Sequence, residues 1–220
     1  VPAPSTCPAA GPGQFELALG HAPALQAADA LLFSREAVAA MAAGHSMLAC
    51  FLPKPFAASA ASGLHCHFSL WQGGVNLLQH EPPAAAAAAG AAAVPPPGEA
   101  ASGSSGGAAA GLGLSAVGEA FLAGILAHLP ALMCFTTPSP NSFRRLAPHC
   151  WAGAYQCYGA NNREAPLRLC ATPGAPEAAN CELKAFDATA NPHLAAAAMI
   201  GGWGLGPETS AVAARAAWGQ

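Results

Sequence analysis

Charge is what this sequence has least of. Charged residues make up 9% of its 220 positions, with two lysines, six arginines and a net charge of −3. So sparse and slightly acidic a chain lacks the basic surface that a nucleic acid or an anionic membrane requires, and neither is an expected partner. Long apolar runs are missing too. Although 53% of residues are hydrophobic, glycine, proline and polar residues interrupt every run before the roughly 20 residues a membrane-crossing helix needs. The first residues, VPAPSTCPAAGPG, have neither the basic start nor the apolar stretch of a signal peptide. The eight cysteines form no CxxC pair and no compact framework. They read as reduced, mostly buried small side chains of an intracellular protein, cytoplasmic in the simplest reading, with disulfides the less favoured alternative. GxxxxGK[ST] is also absent, so any ATP site is not of the P-loop kind.

What charge there is gathers in one stretch, Asn141 to Arg168. It holds four of the six arginines, Arg144, Arg145, Arg163 and Arg168, against one acid, Glu164. The guanidinium fork offers paired donors that match carboxylate and phosphate and cannot be deprotonated. The stretch reads as an anion-handling site, with a solvated basic loop as the plain alternative.

Residues 1–12 read as an irregular lead-in, and Phe15–Leu17 alternate as a short strand with Glu16 off the apolar face. From Pro23 to Leu52 the spacing of Leu25, Ala28, Leu32, Phe33, Ala37 and Met41 predicts a long helix ending near Gly44. SGLHCHFSLW (62–71) predicts a strand with His65, His67 and Ser69 on one face and Leu64, Cys66, Phe68 and Leu70 on the other. Residues 81–113, rich in alanine, glycine and proline, hold almost no large apolar side chain and read as a disordered or loosely helical insertion within one domain rather than a linker between two. A second helix is predicted over 116–135, strands over 153–159, 165–169 and 181–186, and a helix over 191–206 with Pro192 in its first turn. The domain thus runs 13–206, with 207–220 a tail or short amphipathic helix.

Glu16, His65, His67 and Glu182 fall on predicted strands, and carboxylates with imidazoles from separate strands can hold a hard divalent cation. Each also has a plain reading: a lone strand glutamate is ordinarily solvated, an H-x-H pair is more often hydrogen-bonded than ligating, and Glu182 with Lys184 reads equally as an exposed pair. Spacing alone does not bring them together. A divalent cation with several guanidiniums would suit a site holding nucleotide phosphates beside a carboxylate substrate.

Six segments in order resemble the C-terminal catalytic domain of glutamine synthetase, particularly its bacterial-type and nodulin-like branch. They are GPGQFEL, FLPKPF, SGLHCHFSL, NSFRRLAP, ANNREAPLR and CELKAFDATANPHL, and the resemblance covers about 11–79 and 114–206. It implies an α+β fold: a curved antiparallel sheet carrying the site on its concave face, with helices packed outside. It implies an ATP- and Mg²⁺- or Mn²⁺-dependent ligase that forms a γ-glutamyl amide from glutamate and ammonia or an amine by way of γ-glutamyl phosphate. Glu16 matches a carboxylate of one metal site; His65 and Glu182 match ligands of another. His67 and Ser69 match a segment lining ATP. Arg145 matches the arginine for the glutamate carboxylate, Arg163 one that reaches phosphate and substrate, and Arg168 an ATP-side arginine. Lys184 stands where many members have a substrate-binding arginine.

Three departures bear on function. Ala60 and Ala61 replace an Asn-Gly contact for glutamate, and Asn180 replaces an ATP-side arginine. Trp151 stands where glutamine-forming members have a glutamate that binds ammonium, which opens the alternative of an organic amine as acceptor. The family's N-terminal β-domain and its E-x-E metal strand are not in the sequence, and an acid expected before Glu16 falls on Pro8 or Ala9. These absences lead to the expectation that the chain alone is inactive or nearly so, a catalytically incomplete fragment with an assembly or regulatory role being a further alternative. Ring-shaped homo-oligomers are implied only for a full-length chain.

Overall fold

The alternation predicted for the His65 strand is the organising feature of the fold. The computed structural model describes residues 5–8, 11–79, 114–148, 150–170, 178–201 and 213–219, with backbone alone at 5–8 and 213–219. Strand β4 spans His65–Gln72. Its even residues Cys66, Phe68 and Leu70 are buried in the core, while His65 and His67 on the odd face are half-buried. The pattern has period 2 because successive side chains of a strand leave opposite faces.

Before it come β1 (Ser5–Pro8), β2 (Phe15–Ala18), β3 (Ala22–Pro23) and helix α1 (Ala24–Gly44). After it come β5 (Val75–Asn76), α2 (Ala116–Ala127), α3 (Leu129–Thr136), α4 (Pro140–Phe143), β6 (Tyr158–Ala160), β7 (Leu167–Cys170), β8 (Asn180–Leu183), α5 (Pro192–Gly201) and β9 (Ala213–Gly219). β1 and β2 form a two-stranded ribbon; the main sheet runs β3-β9-β4-β8-β7-β6, with β5 paired to β4. The fold is α+β, as expected, and its pairs are antiparallel except at one edge, where β6 runs parallel to β7. Gly73 and Gly74, at φ of 56° and 83°, supply the left-handed turn that a two-residue hairpin between β4 and β5 demands.

In register, Cys66 faces Leu183 and Leu183 faces Leu167; Phe68 faces Cys181 and Cys181 faces Leu169. These rows form one buried face, covered by Phe121, Leu122 and Ile125 of α2 and by Leu129 and Leu132 of α3. Phe68 and Phe121 meet edge to face at 5.4 Å, an arrangement that adds to simple burial. Ser115 caps α2 by accepting from the Gly118 N–H, and its own N–H donates to Leu78 O at 2.9 Å.

Several expectations are corrected. Helix 116–135 is two helices meeting at 73°: Pro130 lacks an N–H and suits a first turn, so it opens a new helix after His128. Of the stripe read on α1 only Ala28 belongs to its buried face. Ala27, Ala28 and Leu31 are buried, while Leu25, Leu32, Phe33 and Met41 are exposed. An alanine-rich helix can pack closely on almost any side, so periodicity of the larger residues does not select the face. Part of the predicted lead-in is strand β1, and part of the predicted tail is strand β9, lying between β3 and β4. The reading of 81–113 as a disordered insertion lies outside the described residues. No single helix among the described residues is long and apolar enough to cross a membrane; the bent α2–α3 pair passes on composition, but Phe121, Leu122, Ile125, Leu129 and Leu132 lie in the core, while Phe135 is exposed. Cys50, Cys66, Cys134, Cys150, Cys157, Cys170 and Cys181 are unpaired.

Candidate functional site

The polar face of the sheet gathers the chemistry. His67 on β4 is in register with Glu182 on β8, and Glu182 with Arg168 on β7. These three side chains therefore share one face in one row, opposite the Leu–Cys rows that face the helices. His65, two positions before His67 on β4, and Lys184, two past Glu182 and just beyond the end of β8, fall on the same face.

Glu182 is the hub. It is 2% exposed, and its Oε1 accepts from Lys184 Nζ at 2.8 Å and His65 Nδ1 at 2.9 Å. His67 Nε2 lies farther off at 3.8 Å. Arg168 Nε is 2.6 Å from Glu182 Oε2, but its N–H does not point at that oxygen, so neither buried atom has a hydrogen bond among the described residues. Burial works to raise the Glu182 pKa. The hydrogen bonds from His65 and Lys184, with their charges, outweigh it and hold the carboxyl well below its ordinary range. Lys184 is 3% exposed, so the pair that also read as an exposed one is instead a buried pair.

Arg145 closes the network from the loop after α4. Its Nη1 donates to Phe186 O at 3.1 Å and its Nη2 to Lys184 O at 2.9 Å. Nη2 also lies 3.2 Å from His65 Nε2. A guanidinium can only donate, so His65 accepts at Nε2 and carries its proton on Nδ1, toward Glu182. Burial lowers the His65 pKa, the charges of Lys184 and Arg145 add to that, and the Glu182 hydrogen bond opposes it. Burial also brings Arg145 down to about 10, against the opposing charge of Asp187. Gly63 is the residue that sequence reasoning missed: a Cβ there would meet Arg145 Nη2 at 2.3 Å and His65 Nε2 at 2.9 Å. The signal was present in the SGLH segment, where the glycine precedes the first histidine by two.

The remaining segments join the same frame. Gln14 Nε2 donates to Ala61 O and Ser62 Oγ, both at 2.9 Å, tying the β1–β2 ribbon to the loop before β4. The backbone N–H of Lys54 donates to Asn141 Oδ1 at 2.7 Å, and Asn141 Nδ2 donates back to Lys54 O at 3.1 Å. His67 Nδ1 lies 2.8 Å from Asn180 Oδ1, and Ser69 Oγ accepts from Trp71 Nε1 at 2.8 Å.

Other candidates stand apart from the hub. Arg163 is exposed on the turn between β6 and β7, and Trp151 is 57% exposed with φ of 51°. Glu16 lies half-buried on β2 in the separate ribbon. Among the described residues no group of three or more His, Cys, Asp or Glu side chains is placed to hold a metal ion. The structure thus unites His65 with Glu182 but does not gather Glu16 with them. Nor does the donor set there fit Mg²⁺. One carboxylate oxygen is taken by an ammonium and an imidazole N–H, the other faces a guanidinium, and the imidazole lone pair faces Arg145, whereas Mg²⁺ demands near-octahedral oxygen coordination.

Comparison with known proteins agrees with this architecture. The family model described as the glutamine synthetase catalytic domain matches residues 3–92 and 103–213. The chain is 35% identical over 190 residues to a gamma-glutamylpolyamine synthetase of Streptomyces coelicolor, covering 86% of this chain and 35% of that protein. It is 32% identical over 194 residues to a glutamate–methylamine ligase of Methyloversatilis universalis, covering 86% of this chain and 37% of the other. Among solved structures, the glutamine synthetase of Plasmodium falciparum superposes with a TM-score of 0.68 at 26% identity, over 86% of this chain and 32% of that one. The chain spans about a third of the length of these relatives.

Proposed function

The chain belongs to the glutamine synthetase catalytic-domain family, and from that premise we propose that it is part of an ATP-dependent ligase joining glutamate to ammonia or an amine. In this reading an oxygen of the glutamate side-chain carboxylate attacks the γ-phosphorus of ATP, the bond to ADP breaks, and γ-glutamyl phosphate forms. The amine nitrogen then attacks the acyl carbon, phosphate leaves, and the nitrogen gives up a proton. The observation that carries the reading is the row Arg168–Glu182–His67 with Lys184 and His65 beside it. It is a cation-rich sheet face built from three of the six family-like segments and braced by Arg145 from a fourth.

Arg168 and the exposed Arg163 are the residues that would meet ATP phosphates, with Arg163 extending to the acyl phosphate, and His67 and Ser69 would line the nucleotide. The fork of Arg145 is engaged by Phe186 O and Lys184 O. That geometry supports a positioning role beside the carboxylate-binding role the resemblance implies. Assembly into a ring of identical chains belongs to the same proposal.

An organic amine as acceptor is favoured by Trp151. Its indole is exposed, and an aromatic face attracts an alkylammonium through both apolar contact and cation–π interaction, where a carboxylate would select a small cation. The test is phosphate release from ATP in the presence of glutamate, with ammonium, methylamine and a polyamine compared. Release that depends on glutamate and is faster with an organic amine supports this second reading. Preference for ammonium supports glutamine formation. No release from the chain alone fits the expected incompleteness, and no glutamate-dependent release even after a relative's N-terminal domain is supplied removes the ligase proposal.

A further inference from the structure

Two features of the Glu182 hub are left over once the ligase reading is made. The first is the place of Lys184. Its ammonium sits 2.8 Å from the same Glu182 oxygen that His65 contacts at 2.9 Å, between the two residues that the family resemblance pairs as metal ligands. A lysine ammonium is a compact point charge, unlike the planar fork many relatives carry at this position, so it can rest on one carboxylate oxygen as an ion would. The second is the pair of buried atoms without hydrogen bonds, Arg168 Nε and Glu182 Oε2. Buried polar groups ordinarily find partners. Arg168 Nε is itself buried, but the side chain keeps 20% exposure, so a ligand oxygen would meet the guanidinium at its other nitrogens.

The charges support an anion. Arg145 is offset by the buried Asp187, whose charge acts on it. That leaves Lys184 and Arg168 against the single carboxylate of Glu182, one positive charge in excess, with Arg163 exposed on the turn leading into β7. A divalent cation bound to Glu182 would have to displace the ammonium from one oxygen or press against the guanidinium at the other.

We propose that Lys184 is a built-in cation that replaces a divalent ion at Glu182, so that this sheet face binds the phosphates of a nucleoside triphosphate without metal. The proposal rests on the ligase reading for the identity of the anion. Lys184 acts as a positioning residue: it neutralises Glu182, and Arg168 meets the phosphate oxygens.

Calorimetric titration of the chain with ATP in EDTA and in excess Mg²⁺ tests it, together with Mn²⁺ alone followed by electron paramagnetic resonance. The expected result is an ATP Kd in EDTA close to that with Mg²⁺, and no Mn²⁺ bound at the Glu182–His65 pair. Lys184→Met is expected to weaken metal-free ATP binding about tenfold, because Glu182 loses the charge that offsets its repulsion of the phosphates, and to gain a Mn²⁺ signal that Glu182→Gln in the same variant removes. Lys184→Arg keeps the charge and serves where the Met variant does not fold, with metal-free ATP binding expected to persist. ATP binding that is abolished by EDTA overturns the inference and leaves the ligase reading standing. No ATP binding in either condition overturns both.

Discussion

Gly63 and Arg145 compete for one volume. A Cβ at Gly63 would stand 2.3 Å from Arg145 Nη2, inside any real contact, and 2.9 Å from His65 Nε2. The missing side chain lets the guanidinium reach two carbonyls and an imidazole at once. Gly63→Ala should therefore displace a buried arginine rather than merely crowd a surface, at a cost of about 1–3 kcal/mol. Arg145→Met should cost about 3 kcal/mol, since it removes two buried charge-assisted hydrogen bonds, to Phe186 O and Lys184 O, and the positive charge that acts on buried Asp187. Because both changes act through one contact, the double variant should be less destabilised than the sum of the singles. Urea unfolding of the four proteins measures this, and strict additivity would show that Gly63 acts elsewhere.

The pH dependence of stability follows from the same network. His65 has a folded pKa below its ordinary 6.5, chiefly through burial. Glu182 lies well below its ordinary 4.5: burial pushes it up, but the hydrogen bonds from His65 and Lys184 more than offset that. In both cases the unfolded chain takes up the proton first on acidification, so stability is lost as pH falls. The unfolding midpoint is expected to be steady above about pH 7, to decline as pH drops through the unfolded histidine range, and to decline again through the carboxylate range. His65→Gln should remove the first decline and keep the second. A midpoint that rises between neutral pH and pH 5 would contradict the neutral tautomer assigned to His65.

Leu78 and Ser115 bring the two sides of the alanine-rich stretch together, with Ser115 N–H donating to Leu78 O at 2.9 Å and Ser115 Oγ donating to Leu77 O. A short Gly-Ser connection in place of residues 81–112 should therefore preserve the fold. Shortening the connection about sixfold lowers its closure entropy cost by about 1.5 kcal/mol, so the unfolding midpoint is expected to hold or rise slightly. Loss of cooperative unfolding would mean that the stretch packs on the domain. Ser115→Ala in the full chain should cost about 1–2 kcal/mol, through the lost cap of α2 and its bond to Leu77.

How much of this could be read in the residues depends on the kind of signal each element carries. The β4 alternation was legible because large apolar and polar side chains strictly alternate from Leu64 to Leu70, and only a strand puts them on opposite faces. The arginine stretch stood out because charge is rare elsewhere, and two of its residues, Arg145 and Arg168, join the Glu182 network. The face of α1 was not, since alanines surround the helix and Leu31 rather than Leu32 or Phe33 packs inward. The break before α3 was written in Pro130 but masked by an unbroken apolar stripe. Strand β9, mostly alanine and glycine around Arg215 and Trp218, has no alternation to read. The spacing of Glu182 and Lys184 placed them on one face, yet their burial follows from the sheet neighbours on either side, which no local pattern contains. The commitment of the Arg145 fork to Phe186 and Lys184 carbonyls is likewise a property of the tertiary fold.

Trp151 carries the last prediction. It is exposed and holds φ at 51°, a left-handed conformation that costs a bulky residue about 1 kcal/mol or more. An exposed side chain on a strained backbone is a place to look for a contact, and in the ligase reading that contact is the amine. Trp151→Gly should leave stability unchanged or raise it, because glycine adopts this backbone without strain. The same change should weaken use of organic amines through loss of the indole face, by a factor of about three to ten for a partly exposed cation–π contact. Trp151→Glu should shift preference toward ammonium, since a carboxylate attracts a small cation that an indole does not select. Thermal unfolding alongside the amine comparison separates the two effects. A Trp151→Gly protein that is clearly less stable would make the indole a packing residue and remove it from the choice of amine.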